Sequence, residues 1–228
     1  MSAHRLVLRR LAIGSIAFVI ASSAVAQTRD HAPVSLPSAG QMMQDKPGSE
    51  SWTYAQPASR FQKYRTVMVG ETAVYQGPDA QFEGIEMNDR ARFAQIITRE
   101  LRSEIAKTFP APAKAKSDTL RLQVTILGAT KTRGGLATAT RVTPLGFATS
   151  ALKSALGKTG SLTGSILYAV EVRDARTNEL LLAAVRRRTP DPLDIPATLS
   201  TTETVNAVAR EFADGARKRL EALTGVRR

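Results

Sequence analysis

The 228-residue chain has no cysteine, two histidines, one tryptophan and only 5% aromatic residues, and each shortage removes a class of function. Without thiols there is no disulfide staple, no cysteine nucleophile, no zinc thiolate site and no cysteine to carry a lipid anchor. His4 falls in the leader described below, and His31 sits in a Pro- and Ser-rich stretch where no scaffold would orient it. That removes Ser–His and Cys–His pairs and imidazole zinc sites from the folded part. So few aromatics make no stacking platform, and nucleic acid is not an expected partner. Acids are also short, 20 Asp and Glu against 32 Lys and Arg.

What is present begins with an export signal. Arg5, Arg9 and Arg10 precede a mainly apolar run over residues 11–21, and Ser22 and Ser23 end it before the roughly 20 residues that a membrane span needs. Ala24-Val25-Ala26 supplies the small residues that a signal peptidase reads, so residues 1–26 are predicted to be removed and the mature chain to start at Gln27. Arg9-Arg10 lacks the rest of a twin-arginine pattern, and the general secretory route is expected. The expected location is the periplasm, with release from the cell as the alternative, and no lipid anchor. The leader holds three of the basic residues and none of the acidic ones, so the mature chain carries +9. An exported protein of this charge is drawn to anionic lipid, lipopolysaccharide or cell-wall glycan.

Residues 27–50 are rich in Pro, Ser and Gly without hydrophobic period and read as a disordered tether. A single domain over 51–225 should begin near Trp52 and Tyr54, whose apolar surfaces favour burial. Residues 63–75 read as a strand with Val67 and Val69 on one face and Met68 on the other, stopped by Gly77-Pro78. Phe93, Ile97, Leu101 and Ile105 recur every fourth residue in a helix capped by Asn88 or Asp89 and running to about Phe109, before Pro110. Leu120, Leu122, Val124 and Ile126 alternate with polar residues, as do Ile166, Tyr168, Val170 and Val172, marking two half-buried strands. Asp174 and Asn178 bound a hairpin connection to a partner strand over 180–188. A last helix over about 202–223 carries Val205, Val208, Phe212, Ala216, Leu220 and Leu223 on one stripe, with Gly225 after it. The order is β-α-β-(insertion)-β-β-α. It predicts an α/β (α+β) two-layer sandwich, a four-stranded mixed sheet with both helices on one face and a parallel crossover in its first unit.

The segments YRTVMV at 64–69, LRLQVTI at 120–126 and GSILYAVEVRDARTNELLLAA at 164–184 resemble the bacterial domain-of-unknown-function 3313 family, envelope proteins often labelled lipoproteins. The family pattern at the last place is strand, Asp-x-x-Thr-Gly-Glu, strand. Asp174, Thr177 and Glu179 match it, and Asn178 stands where Gly is usual, a mild change because Asn best tolerates the left-handed conformation. The resemblance covers most of 52–223 and implies an envelope location and an α/β sandwich. It brings no activity and no catalytic residues. The lipidation cysteine of such proteins is missing here.

The candidate sites follow from what remains. Gly157-Lys158-Thr159 imitates the end of a phosphate loop, but Leu152 occupies the position of the required first Gly, and no cofactor is expected. Asp79, Glu83, Glu86 and Asp89 cluster between the first strand and helix. They could serve as acid and base on a glycan, as oxygen ligands for calcium, or as a solvated loop facing a helix dipole. The Gly-rich, apolar insertion at about 132–164 offers Leu145, Phe147, Leu152, Lys153 and Leu156 as an interaction surface. Arg186, Arg187 and Arg188 add an anion or partner contact, or protect a sheet edge. Together these favour a non-enzymatic binding or adaptor domain, whose partner is an envelope protein or an anionic envelope component. A carboxylate-based cell-wall glycan hydrolase and a binder of anionic membrane surfaces are the alternatives. Oligomeric state is left open.

Overall fold

The computed structural model describes residues 32–33, 35–49, 51–131, 164–189 and 201–227. The expected signal, residues 132–163 of the insertion and His31 lie outside them. The longest strands are the two whose alternation was clear and the expected hairpin partner of the second. These are β6 (Thr119–Thr130), β7 (Ser165–Asp174) and β8 (Leu180–Arg188), an antiparallel meander at the centre of the sheet.

Around this centre the sheet is larger than the four strands expected. The order is β1-β2-β8-β7-β6-β3, where β1 is Met43–Gln44, β2 is Trp52–Ala55 and β3 is Thr66–Val69. β4 (Ala73–Val74) and β5 (Gln81–Glu83) follow β3 along the same edge of β6, all three parallel to it. The single strand predicted over 63–75 is thus two, separated around Gly70. These additions run only two to four residues each, too short for a period of two to show in a sequence. Gly128 lets β5 join: a Cβ there would lie 2.5 Å from the carbonyl oxygen of Gln81, and β6 has a bulge between Ile126 and Gly128.

Helix α1 (Met87–Ile105) links β5 to β6, and α2 (Thr201–Thr224) closes the described chain. Both lie on one face of the sheet, as expected. Phe93, Ile97, Leu101 and Ile105 of α1 and Val205, Val208 and Leu220 of α2 share a core with Leu120, Leu122, Ile126, Ile166, Tyr168 and Val172. The α1 cap differs from expectation. Glu86, in extended conformation, precedes the helix without a side-chain cap bond, and the helix ends at Ile105. A further turn, with the Phe109 N–H donating to the Ile105 carbonyl at 2.9 Å, still buries Phe109 completely. Between the helices Arg217 donates to Glu104 of α1 at 2.8 Å and to Asp214 and Glu221 of its own helix at 2.8 and 2.6 Å. With three carboxylates around it, its guanidinium is held charged well above the usual range.

The second face of the sheet is also covered, which corrects the expected tether. Trp52, Tyr75, Leu127, Leu167, Ala169 and Val185 form a smaller core there with Leu36, and Ala39 and Met42 pack against it. Residues 35–49 hold a 3₁₀ turn (Ala39–Gln41) and β1, and the Ser35 N–H donates to the Tyr75 hydroxyl at 3.0 Å. A few isolated apolar residues among Pro, Ser and Gly show no period, yet they suffice to cap an apolar strip made elsewhere.

The β7–β8 hairpin is as predicted. Asn178 is the only non-glycine residue with positive φ (62°) among the described residues. Asp174 Oδ1 accepts from the N–H groups of Arg176 and Thr177, both at 2.9 Å, and its Oδ2 accepts from the Tyr64 hydroxyl at 2.8 Å. Burial alone would raise this carboxyl. The Thr177 N–H, the Tyr64 hydroxyl, the Arg176 N–H and Lys63 outweigh that and hold it well below the usual carboxylate range. Burial, then this hydrogen bond, pushes the Tyr64 hydroxyl up.

Candidate binding groove

The two helices of the described residues do not roof the whole sheet. Among the described residues, β8 and β2 carry side chains on the helix side with no helix directly above them. Side chains alternate along a strand, so β8 turns Leu182, Ala184, Arg186 and Arg188 to that side, and the register brings Thr53 and Ala55 of β2 alongside. The flank of α2 faces the same space with Glu211, Phe212, Gly215, Ala216, Arg219, Leu220 and Leu223. Together they bound an open groove of about 420 Å³ whose floor is completed by Tyr168, Val170 and Val172. Phe212, expected in the inner stripe of its helix, is only half-buried. Its ring lies 4.6 Å from that of Tyr168, tilted by 55°, as one wall of the groove.

Polarity changes along the groove. At one end Val172, Leu182, Leu220 and Leu223 are apolar, and at the other Arg186 and Arg188 stand beside Tyr168 and Glu211. Arg186 is committed to the fold. It donates to the Trp52 carbonyl at 2.8 Å and to Thr53 Oγ1 at 2.7 Å, and pairs with Asp45 at 3.0 Å. Arg188 is freer, half-exposed and 3.5 Å from an equally exposed Glu211, a pairing that contributes little in water. A hydrogen bond with the Tyr168 hydroxyl helps to keep its guanidinium charged, while burial pushes that hydroxyl itself up.

In the middle of the groove lies Gly215. A Cβ added there meets nothing within 4 Å, so no internal contact demands a glycine. In a helix interior it costs about 1 kcal/mol relative to alanine. Its one visible effect is to keep the α2 flank of the groove open.

The sequence candidates are placed unevenly. Arg186 and Arg188 reach the groove, whereas Arg187 points to the opposite face and donates to Gln81 Oε1 at 2.6 Å and Ser165 Oγ at 3.1 Å. The three arginines are not one surface, because a strand sends neighbours to opposite sides. Leu145, Phe147, Leu152, Lys153 and Leu156 lie outside the described residues. In the acidic group, Asp79 accepts from the Tyr75 hydroxyl at 2.7 Å, Asp89 pairs with Arg92 at 3.1 Å, and Glu86 precedes α1. Among the described residues no three acidic or histidine side chains converge as metal ligands would. Ala184, Phe212 and Gly215 were missed as site residues. The succession Leu182, Ala184, Arg186, Arg188, read with a period of two, carried the signal.

Sheet, helices and groove define a small mixed α/β protein with a covered second face and an open, cationic-ended apolar groove. The chain belongs to the DUF3313 family, described as a protein of unknown function, whose model matches residues 38–216. No curated protein matches it. Among solved structures it is similar to the PelC dodecamer of Paraburkholderia phytofirmans, with 14% identity, TM-score 0.39, and 78% of this chain and 98% of that one covered. It is also similar to a DUF4136 family protein of Bacteroides thetaiotaomicron, with 12% identity, TM-score 0.38 and coverage of 81% and 97%. A third is a DUF330 protein of Xanthomonas campestris, with 8% identity, TM-score 0.37 and coverage of 71% and 90%. Likeness at this level says nothing of activity.

Proposed function

We propose that this protein is a non-enzymatic binding domain of the bacterial envelope, exported with cleavage after Ala26 and acting in the periplasm on an anionic envelope component. The observation that carries this reading is the groove, with an apolar floor, a cationic end and a helix flank held open by Gly215. The polar clusters elsewhere have structural duties. Asp174 organises a turn, Arg217 joins two helices, and Tyr75 ties Asp79 to the N-terminal segment. The carboxylates on which a hydrolase reading rests include Asp79 and Asp89, both already engaged.

The test is to express the full chain in a Gram-negative host, fractionate the cells, and sequence the N-terminus of the periplasmic form. A start at Gln27 is expected, and full-length protein confined to the cytoplasm overturns export. Mature protein incubated with lipid, lipopolysaccharide and peptidoglycan fractions should retain at least one, and lose it in 0.5 M salt, where exposed charges are screened. Retention of none overturns the binding role, and cleavage of labelled peptidoglycan overturns the non-enzymatic one.

A further inference from the structure

We propose that the groove between α2 and β8 seats one anionic single-chain lipid, its head at Arg188 and its acyl chain running past Gly215 toward Leu182 and Leu223. This rests on the binding role just proposed and narrows its ligand.

The polarity gradient is the first support. On the helix side β8 reads Leu182, Ala184, Arg186, Arg188, and α2 opposite it reads Leu223, Leu220, Arg219, Ala216, Gly215, Phe212, Glu211 in the same direction. The β8 wall therefore runs from apolar to cationic, the pattern of a molecule with one apolar and one charged end, while α2 lends Leu223, Leu220, Ala216 and Phe212 as apolar surface along it, with Arg219 at its exposed rim. At about 420 Å³ the groove is within the range of small-ligand sites, about 300–1,000 Å³.

Charge is the second. Arg186, Arg188 and Arg219 line the groove against a single acid, Glu211. Arg186 is tied to Trp52, Thr53 and Asp45, whereas Arg188, among the described residues, meets the exposed Glu211 and the Tyr168 hydroxyl. Its planar guanidinium can turn to a carboxylate or phosphate and hold it by two parallel hydrogen bonds.

The third is the backbone. β8 is paired by β7 along its length and by β2 over Leu182–Val185, and β1 pairs the start of β2. Along Leu182–Val185, beside the apolar half of the groove, an extended peptide finds no free strand edge of β8 to join, and only the three residues Arg186, Arg187 and Arg188 lack a strand partner on the β2 side among the described residues, too short an edge for the recognition that drives strand addition. An acyl chain needs only side-chain contact. Gly215 and Ala184 leave the room for it.

The experiment uses the mature full chain, residues 27–228, and palmitate held below its micelle concentration, with binding read by titration calorimetry. Hexadecanol, of similar length but neutral head, is the comparison. Saturable binding of one palmitate per chain is expected, at least about tenfold tighter than hexadecanol. Arg188→Gln should weaken palmitate about tenfold and leave hexadecanol unchanged, tenfold corresponding to about 1.4 kcal/mol. Gly215→Leu should weaken both at least tenfold by filling the groove. Arg187→Gln, on the opposite face, should change neither. A cooperative melting transition no lower than that of the parent shows that each variant folds, and Gly215→Ala supplies a milder filling if the leucine variant does not.

No palmitate binding, equal binding of the alcohol, or affinities indifferent to both Arg188 and Gly215 each overturn the proposal. So does a concentration-dependent dimer that palmitate fails to dissolve and Gly215→Leu abolishes, since a second copy would then be the occupant. If palmitate fails while lipopolysaccharide or peptidoglycan is still retained, the lipid assignment falls and the broader binding role stands.

Discussion

At the scale of single residues, Asp174 shows how a turn can be fastened by a buried charge. Its carboxylate accepts two backbone N–H groups of the hairpin and the Tyr64 hydroxyl, with Lys63 at 3.4 Å. Because its folded pKa is depressed, its contribution is fully present above the unfolded value near 3.8 and is lost as pH falls toward the folded one. Asp174→Asn keeps an oxygen for the turn but presents an amide to Tyr64 and Lys63, and should cost about 1.5–3 kcal/mol at pH 7. Urea unfolding at several pH values should show that gap constant above about pH 5 and narrowing below about pH 4. A gap independent of pH down to 2 would mean that the charge of Asp174 does not matter to the fold. Gly215 makes the opposite case. With open space at its Cβ, Gly215→Ala should stabilise the protein by about 1 kcal/mol and raise Tm by about 2–4 °C, which calorimetry would show. Destabilisation would mean that the helix needs glycine there for its own geometry.

At the scale of elements, legibility followed length and period. β6 and β7 alternate over much of their length and both helices repeat an apolar stripe, so these elements stood in the sequence, but the two strands expected to be half-buried are buried on both faces because the N-terminal segment covers the second one. The hairpin was equally plain, because Asp174 and Asn178 are turn residues for stated physical reasons. β1, β4 and β5 were not legible, since two or three residues have no period and each exists by pairing with a longer neighbour. The groove was half legible. Arg186 and Arg188 were singled out, but the uncovered strip belongs to how far two helices reach across the sheet, which is a tertiary fact. The hairpin can be tested directly. Asn178→Val, forcing a β-branched residue to a φ of 62°, should cost about 1–2 kcal/mol, while Asn178→Gly should be close to neutral. Equal stability of the two variants, measured by urea unfolding, would show that the turn relaxes instead of holding its left-handed residue. In the main core, Leu101→Ala removes a fully buried side chain between α1 and the sheet and should cost about 2–5 kcal/mol in the same measurement.

At the scale of the whole molecule, the sheet has two apolar faces and, among the described residues, one helical layer. The second face must be covered by something, and the segment before β2 does it. Leu36 is 7% exposed and Trp52 5%, in one small core with Val185 and Leu167. That core is far smaller than the helical one, so it should open first and at lower free energy, as weakly packed units do. Trp52 is the only tryptophan, which makes its fluorescence a reporter of this face alone. A mature chain lacking residues 27–42 should keep its far-ultraviolet dichroism, because α1, α2 and the central strands do not depend on the segment. Its tryptophan emission should move to the red and a dye for exposed apolar surface should bind, as Trp52 meets water. Leu36→Ser should give a smaller shift in the same direction. Unshifted emission in the truncated chain would mean that residues 35–42 do not cap this face in solution, and the segment would then return to the role of a tether.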